Sequence, residues 1–307
     1  MNELEAVERI RRLAAGPRAK GVKLGIGDDC AIYQSPGSSE DLLLTTDMVI
    51  EDVHFRASTH PPDAVGWRAL ARALSDIAAM GGTPRFVLVS LALAGWADRR
   101  WMERFYGGLL RLARREAATL AGGDLGHAER VYCDIVVGGV VPRGTALRRD
   151  GARAGDSIWI SGELGGSARG LETGRGAAWR RHLYPEPRLE LGRYLRARLK
   201  ATSAMDLSDG VSIDMHRLAK ASGLAARLDR PLPVSPGASI EQALHGGEDY
   251  ELLFTLARGA DPPTRHHGLP LTRIGTMEKG KPGAVEFFGR PLAPLGYDHL
   301  RSTKPRV

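Results

Sequence analysis

Short apolar runs alternate along the chain with longer segments whose apolar residues recur every three or four positions, the marks of strands and helices in turn. Leu4, Val7, Ile10 and Leu13, set among acids and bases, predict an amphipathic helix and not a secretory signal. After Gly25-Ile26-Gly27-Asp28-Asp29 a strand starts near Ala31. Ser35-Pro36-Gly37-Ser38 turns the chain, and Leu42-Leu43-Leu44 runs back beside it. Pro61-Pro62-Asp63 opens a helix with Trp67, Leu70, Leu74 and Ile77 on one face, and Gly81-Gly82 closes it. A buried strand is expected over residues 86–93, and another over 132–141. Between them a long helix is expected over 98–120, with Trp101, Phe105, Leu109 and Leu112 inward. The first half thus reads ββαβαβ, and Pro142-Arg143-Gly144 marks a boundary.

The second half predicts a strand over 157–161 and a short helix after Gly165-Gly166. Helices follow over 189–199 and 211–221, and a strand over 251–256. Short segments at 271–275 and 284–288 precede the tail Gly296-Tyr297-Asp298-His299. No short repeat, heptad array or low-complexity tract is present. Strands alternating with helices indicate an α/β (α+β) protein of two units, 1–142 and 143–307.

Composition narrows the class. At 307 residues, 43% hydrophobic and 26% charged, the chain has material for sizeable cores, and no apolar run approaches a membrane span. Cys30 and Cys133 have neither metal-ligand spacing nor a disulfide framework. A cytoplasmic enzyme or binding protein is expected, with no membrane partner. The formal charge of +7 comes from seven lysines and 36 arginines scattered among 36 acids, without a basic block. A solvated arginine-rich surface, welcoming to a small anionic substrate, accounts for that. Nucleic-acid binding, the alternative from a different class, leaves the glycine-flanked acids without a purpose.

Those acids are the candidate chemistry. Residues 42–55 begin as an apolar strand and end in Thr45, Thr46, Asp47, Glu51, Asp52 and His54. Carboxyl ends of strands are where α/β folds bind ligands, and hydroxyl beside carboxylate suits a hard cation such as Mg²⁺. Turn hydrogen bonds explain the same residues equally well. Further acids stand at Asp28/Asp29, Asp124, Asp206/Asp209 and Glu248/Asp249. One of Asp206 and Asp209 could cap the helix that follows; capping does not need both. If such groups converge, each like-charge pair at about 4 Å costs ~4 kcal/mol at an effective dielectric of 20. Mg²⁺ carrying a polyphosphate would offset that cost. Spacing alone does not establish the convergence. No GxxxxGK[ST] loop is present, and Cys30 stands in the third glycine's place of a GxGxxG.

The motifs GIGDDCAI, TTDMVIEDVHF, SDIAAMGGTP, GGD, MDLSDG, GGEDYEL and GYDH, in this order from Gly25 to His299, resemble those of thiamine-monophosphate kinases. These belong to the aminoimidazole-ribonucleotide synthetase-like superfamily. The resemblance implies ATP-dependent phosphorylation of thiamine monophosphate, with several Mg²⁺ ions holding the phosphates. It implies that Asp29, Thr45, Thr46, Asp47, Asp76, Asp124, Asp206 and Asp209 form the metal shell. Tyr106, Gly123, Asp124, Arg149 and Ser208 would contact ATP, and His54, Glu248 and Tyr297 the substrate, with Asp28 in support. A homodimer is implied as well, amino-terminal sheets joining in a barrel with an α/β domain alongside. Two positions depart from the pattern. Leu125 stands where Thr or Ser usually follows GGD, and Asp52 where glycine is common. The alternative within the superfamily is a purine-pathway synthetase. A selenophosphate-type synthetase would carry a reactive Cys in the early glycine-rich region, and none precedes Cys30; a hydrogenase-maturation relative would carry a carboxyl-terminal Cys, and this sequence ends Lys304-Pro305-Arg306-Val307.

Overall fold

Two sheets, one from each half of the chain, meet over a shared apolar layer. Residues 3–17, 19–297 and 300 are described in this computed structural model. The first half contains α1 (Glu3–Leu13), β1 (Val22–Leu24), β2 (Ala31–Tyr33), β3 (Glu40–Ile50), α2 (Pro62–Ala79) and β4 (Thr83–Leu93). It ends with α3 (Arg99–Arg115), β5 (Thr119–His127) and β6 (Tyr132–Pro142). The strands form a six-stranded sheet in the order β1-β2-β3-β6-β4-β5. Neighbours are antiparallel except β4 and β5.

Alternation along β3 sends Leu43, Thr45 and Val49 to a buried face covered by α2 and α3, and Thr46 and Met48 to an open one. Met48, Leu88 and Tyr132 leave that second face partly apolar and exposed. The long helix expected over 98–120 stops at Arg115. Ala117, at φ +54°, turns the chain, and residues 119–127 become an edge strand parallel to β4. That strand, glycine-rich and exposed, has no apolar alternation by which to announce itself.

The second half contains β7 (Ser157–Ser161), α4 (Gly166–Thr173), α5 (Gly176–Leu183), α6 (Leu189–Tyr194), β8 (Ser203–Asp206) and α7 (Val211–Ala221). Then come β9 (Ala225–Leu228), α8 (Ile240–His245), β10 (Leu252–Leu256), β11 (Arg265–His266), β12 (Leu269–Glu278), β13 (Val285–Phe287) and β14 (Arg290–Pro291). These strands form an eight-stranded sheet, β14-β13-β9-β12-β7-β10-β8, with β11 added on β12. One core packs Ile158, Met205, Leu218, Leu253 and Ile274 within this half. The other joins the halves: Leu70, Leu74, Ile77 and Phe105 pack in the same cluster as Leu189, Leu195, Leu252 and Phe254. Helix α6 seats so closely on α2 that a Cβ at Gly192 would lie 2.0 Å from the Ala78 carbonyl oxygen. Sheet β1–β6 and the half-molecule behind it therefore meet at α2.

Candidate active site

Helix α2 is apolar along most of its length, yet Arg68, Arg72 and Asp76 recur on it every fourth residue, which stacks them on one stripe. The stripe faces β3. Asp76 Oδ2 accepts a hydrogen bond from Thr45 Oγ1 at 2.5 Å. Asp29, from the turn before β2, and Asp206, ending β8, close the group. Ligand oxygens of Asp29, Asp76 and Asp206 all lie within 4.8 Å of one another, although 177 residues separate the first from the last. Arg149 holds Asp29 in a two-pronged grip, Nη2 to Oδ1 at 2.5 Å and Nε to Oδ2 at 3.2 Å, and its backbone N–H donates to Asp28 Oδ2 at 3.2 Å.

Three carboxyls in so small a buried space oppose one another's ionisation. Burial raises the pKa of Asp76 well above the usual carboxylate range, and Asp206, Asp47 and Asp29 push it further. Asp206 is raised in the same way by burial and then by Asp29 and Asp214, with the Ser75 hydroxyl opposing. Asp28 is pushed up to about 7 by burial and by Asp29. Burial works against the charge of Arg149, but Asp29, Asp28 and Asp206 outweigh it and its pKa rises. This is an all-oxygen, charge-crowded pocket, the donor set that accepts a hard divalent cation.

A second group lies along the same stripe. Arg68 Nη2 pairs with Glu248 Oε1 at 2.8 Å, and Arg72 Nη2 with Asp47 Oδ1 at 2.8 Å. Arg72 Nη1 also approaches Glu248 at 3.6 Å. Arg68 further donates to the His182 carbonyl at 2.8 Å and to the His54 carbonyl at 3.3 Å. The His54 ring is buried, and its Nδ1 accepts the Ile50 backbone N–H at 3.0 Å, closing the bend after β3. Asp52 in that bend adopts φ +64°, the left-handed backbone for which glycine is the ordinary choice. Glu248 and Tyr250 are left-handed as well, at φ +65° and +50°. Their loop is locked by backbone bonds from Glu248 N–H to the Ser208 carbonyl (2.8 Å) and from Tyr250 N–H to the Leu207 carbonyl (3.0 Å). Asp249 ties it to α4 by accepting from Gly165 N–H at 2.6 Å and Ser167 N–H at 3.0 Å.

Ser208, Asp209, Glu248 and Tyr297 are thereby neighbours, because Tyr297 N–H also reaches the Asp209 carbonyl at 3.4 Å. The Asp209 side chain pairs with Arg217 at 2.5 Å, and Asp214 accepts the backbone N–H groups of Asp209 and Gly210, each at 3.0 Å. Asp298 and His299 lie outside the described residues.

Thr46 and Asp124 are placed differently. Thr46 points to the open sheet face and donates to Asp134 Oδ1 at 2.7 Å. Asp124, in register with Ser90 and Asp134, shares that face. Tyr106, Gly123 and Asp124 line one groove of about 650 Å³ beside β5. A Cβ at Gly123 would meet the Val89 carbonyl oxygen at 1.9 Å, so only glycine lets β5 close on β4 there. Leu125 is exposed at the edge of that groove and offers no hydroxyl.

Sequence reasoning missed Arg68, Arg72, Ser75, Asp134, Asp214 and Arg217. A signal existed for several of them. The Arg68-Arg72-Asp76 spacing is a polar stripe on an alanine- and leucine-rich helix, and Asp134 is the one charged residue in its strand.

Comparison with known proteins adds an independent observation. Residues 27–141 match the family of AIR synthase related protein, N-terminal domain. The chain is 38% identical to the thiamine-monophosphate kinase of Escherichia coli (strain K12), over 91% of this chain and 92% of that one. Its identity to the Aquifex aeolicus (strain VF5) thiamine-monophosphate kinase is 36%, over 90% and 92%. The solved structure of AaThiL complexed with AMPPCP and TMP superposes with a TM-score of 0.86 at 34% identity, covering 97% of each chain. Hydrogenase maturation protein HypE in complex with ATP shares the fold at 19% identity, with a TM-score of 0.70 and coverage of 91% and 89%.

Proposed function

The chain belongs to the thiamine-monophosphate kinase family, and from that footing we propose that it phosphorylates thiamine monophosphate to thiamine diphosphate at the expense of ATP. The observation that carries the reading is the clustered trio of Asp29, Asp76 and Asp206, the first and last buried and Asp76 partly so, beside Thr45. Oxygen-only donors whose crowding raises their proton affinity fit Mg²⁺, with Asp47 close enough to act on Asp76 and Asp209 three residues beyond Asp206 in the chain. Bound there, Mg²⁺ would neutralise and align the two phosphorylated reactants.

The remaining assignments concern the chain's own groups. Arg149, its planar fork fixed on Asp29, presents positive charge to the nucleotide phosphates together with Ser208. Tyr106, Gly123 and Asp124 form a nucleotide groove, and Thr46 and Asp124 serve an ion apart from the trio. His54, Glu248 and Tyr297 orient the thiamine monophosphate, and Arg68 and Arg72 hold the Glu248 carboxylate in place. A phosphate oxygen of the substrate attacks the γ-phosphorus in line as the bond to ADP breaks. No protein nucleophile is needed, because phosphoryl transfer is governed by positioning and charge. The same proposal places the protein in the cytoplasm, divides it at residues 142/143, and pairs it with a second copy through the open face bearing Met48, Leu88 and Tyr132.

Purified protein with ATP, Mg²⁺ and thiamine monophosphate is expected to yield ADP and thiamine diphosphate, identified by chromatography. Asp47→Asn and Asp206→Asn should each lower product formation about 100-fold or more while the far-ultraviolet spectrum is unchanged. Near-normal turnover by either variant at limiting Mg²⁺ would overturn the ligand assignment. ADP release with a purine-pathway precursor in place of thiamine monophosphate would overturn the substrate.

A further inference from the structure

Away from this site, three side chains carry a different donor chemistry. Strands β11 and β12 are joined by His267 and Gly268, at φ +47° and +83°, a two-residue hairpin turn with left-handed backbone at both positions. Glycine, asparagine or aspartate is the usual first residue of such a turn, so a histidine there is held against its backbone preference. Adjacent residues of a strand point to opposite sides. The left-handed step at His267 breaks that alternation, and both rings reach Glu190 in α6. His266 Nε2 lies 2.7 Å from Glu190 Oε2, and His267 Nε2 lies 3.7 Å from Glu190 Oε1. One ligand atom from each of the three residues falls within 4.8 Å of the others.

The His266 ring is stacked on Tyr194 at 3.9 Å between centroids, which fixes its plane. Its Nε2 is buried and, despite the short approach to Glu190, makes no directed hydrogen bond among the described residues. Nitrogen and oxygen stand side by side, as two donors around a third atom do. Ligand atoms of a tetrahedral Zn²⁺ at 2.0–2.1 Å are about 3.3 Å apart, between the two separations found here.

We propose that Glu190, His266 and His267 bind a divalent transition-metal ion of the Zn²⁺ class, with a fourth position open to water. Two imidazoles and a carboxylate favour such an ion over Mg²⁺, which takes oxygen. The site is thus chemically separate from the all-oxygen trio. Glu190 and His267 are exposed, so an ion enters from solvent without any rearrangement. Once bound, it ties the β11–β12 hairpin to α6, the helix seated against α2. Its role is that of a clamp; it touches none of the groups assigned to the reaction.

The test uses the full chain, stripped with a chelator, dialysed, and titrated with Zn²⁺ by calorimetry in excess Mg²⁺. Co²⁺ serves as a visible-absorbance probe. The comparison is Glu190→Gln/His267→Asn, asparagine being at home in the left-handed turn. The wild type is expected to take up one more Zn²⁺ per chain than the double variant, to show a Co²⁺ visible band that the variant lacks, and to melt at higher temperature with Zn²⁺. The variant should bind Zn²⁺ at least tenfold more weakly at this site, while its Mg²⁺-dependent turnover without zinc equals that of the wild type. Equal zinc stoichiometry and affinity in the two proteins, or no zinc bound by the wild type, would overturn the proposal and leave a histidine–glutamate ion pair.

Discussion

His60 shows what burial does to one residue. Its ring lies against Trp179 and His182, with its Nε2 at 3.3 Å from His182 Nε2, and its pKa is lowered to about 4 by burial and by the neighbouring Arg68 charge. In the unfolded chain the same group titrates near 6.5. Between those values the unfolded state binds a proton that the folded state refuses, so stability is full above pH 6.5 and is lost as pH falls toward 4. Chemical denaturation at pH 6.5 and 4.5 should show the wild type losing about 2 kcal/mol more than His60→Gln over that interval. Equal losses would remove the assignment. Asp249, raised to about 6 by burial, works in the opposite sense, which is why the variant comparison is needed. At this scale the sequence was informative about carboxylates at glycine turns and nearly silent about arginines. Asp29, Asp76 and Asp206 stand in recognisable motifs, whereas Arg68 and Arg72 show only as a four-residue spacing on an apolar helix, whose meaning emerges once the helix is seen to be buried.

Among the elements, α2 carries the charged stripe that links the site's two groups, and that stripe is a dependent set. Arg68 is 4% exposed at its side chain and meets Glu248 at 2.8 Å in the same dry space. Removing one partner of such a pair strands the other. Arg68→Ala should destabilise the protein by about 3–5 kcal/mol in urea unfolding. Arg68→Met/Glu248→Gln should recover a large part of that loss but not the affinity for thiamine monophosphate. If Arg68→Ala costs under about 1 kcal/mol, the pair is not the anchor described here. Element boundaries were legible where caps and apolar periods agree, as at Pro62 and over Val211–Ala221. They failed at β5, α5 and α8. The first lacks a period because it is an exposed glycine-rich edge, and the other two are helices of eight and six residues, too short for a period to develop.

For the whole molecule, each half of the chain builds its own sheet, but the apolar layer does not respect that division. Leu189, Leu195, Leu252 and Phe254 complete the core begun by Leu70, Leu74 and Ile77. Heating should therefore give one transition whose calorimetric and van't Hoff enthalpies agree, and two separate peaks would contradict a shared core. No sequence pattern announces such sharing, since an apolar residue carries no mark of which core it will join.

The trio of carboxyls has a further consequence for the proposed metal binding. Asp76 and Asp206 retain hydrogen at acidities where ordinary side-chain acids have given it up. A cation bound among them as proposed would have to evict protons into the medium, so loading the site would also be an acidification, and alkaline conditions would favour it.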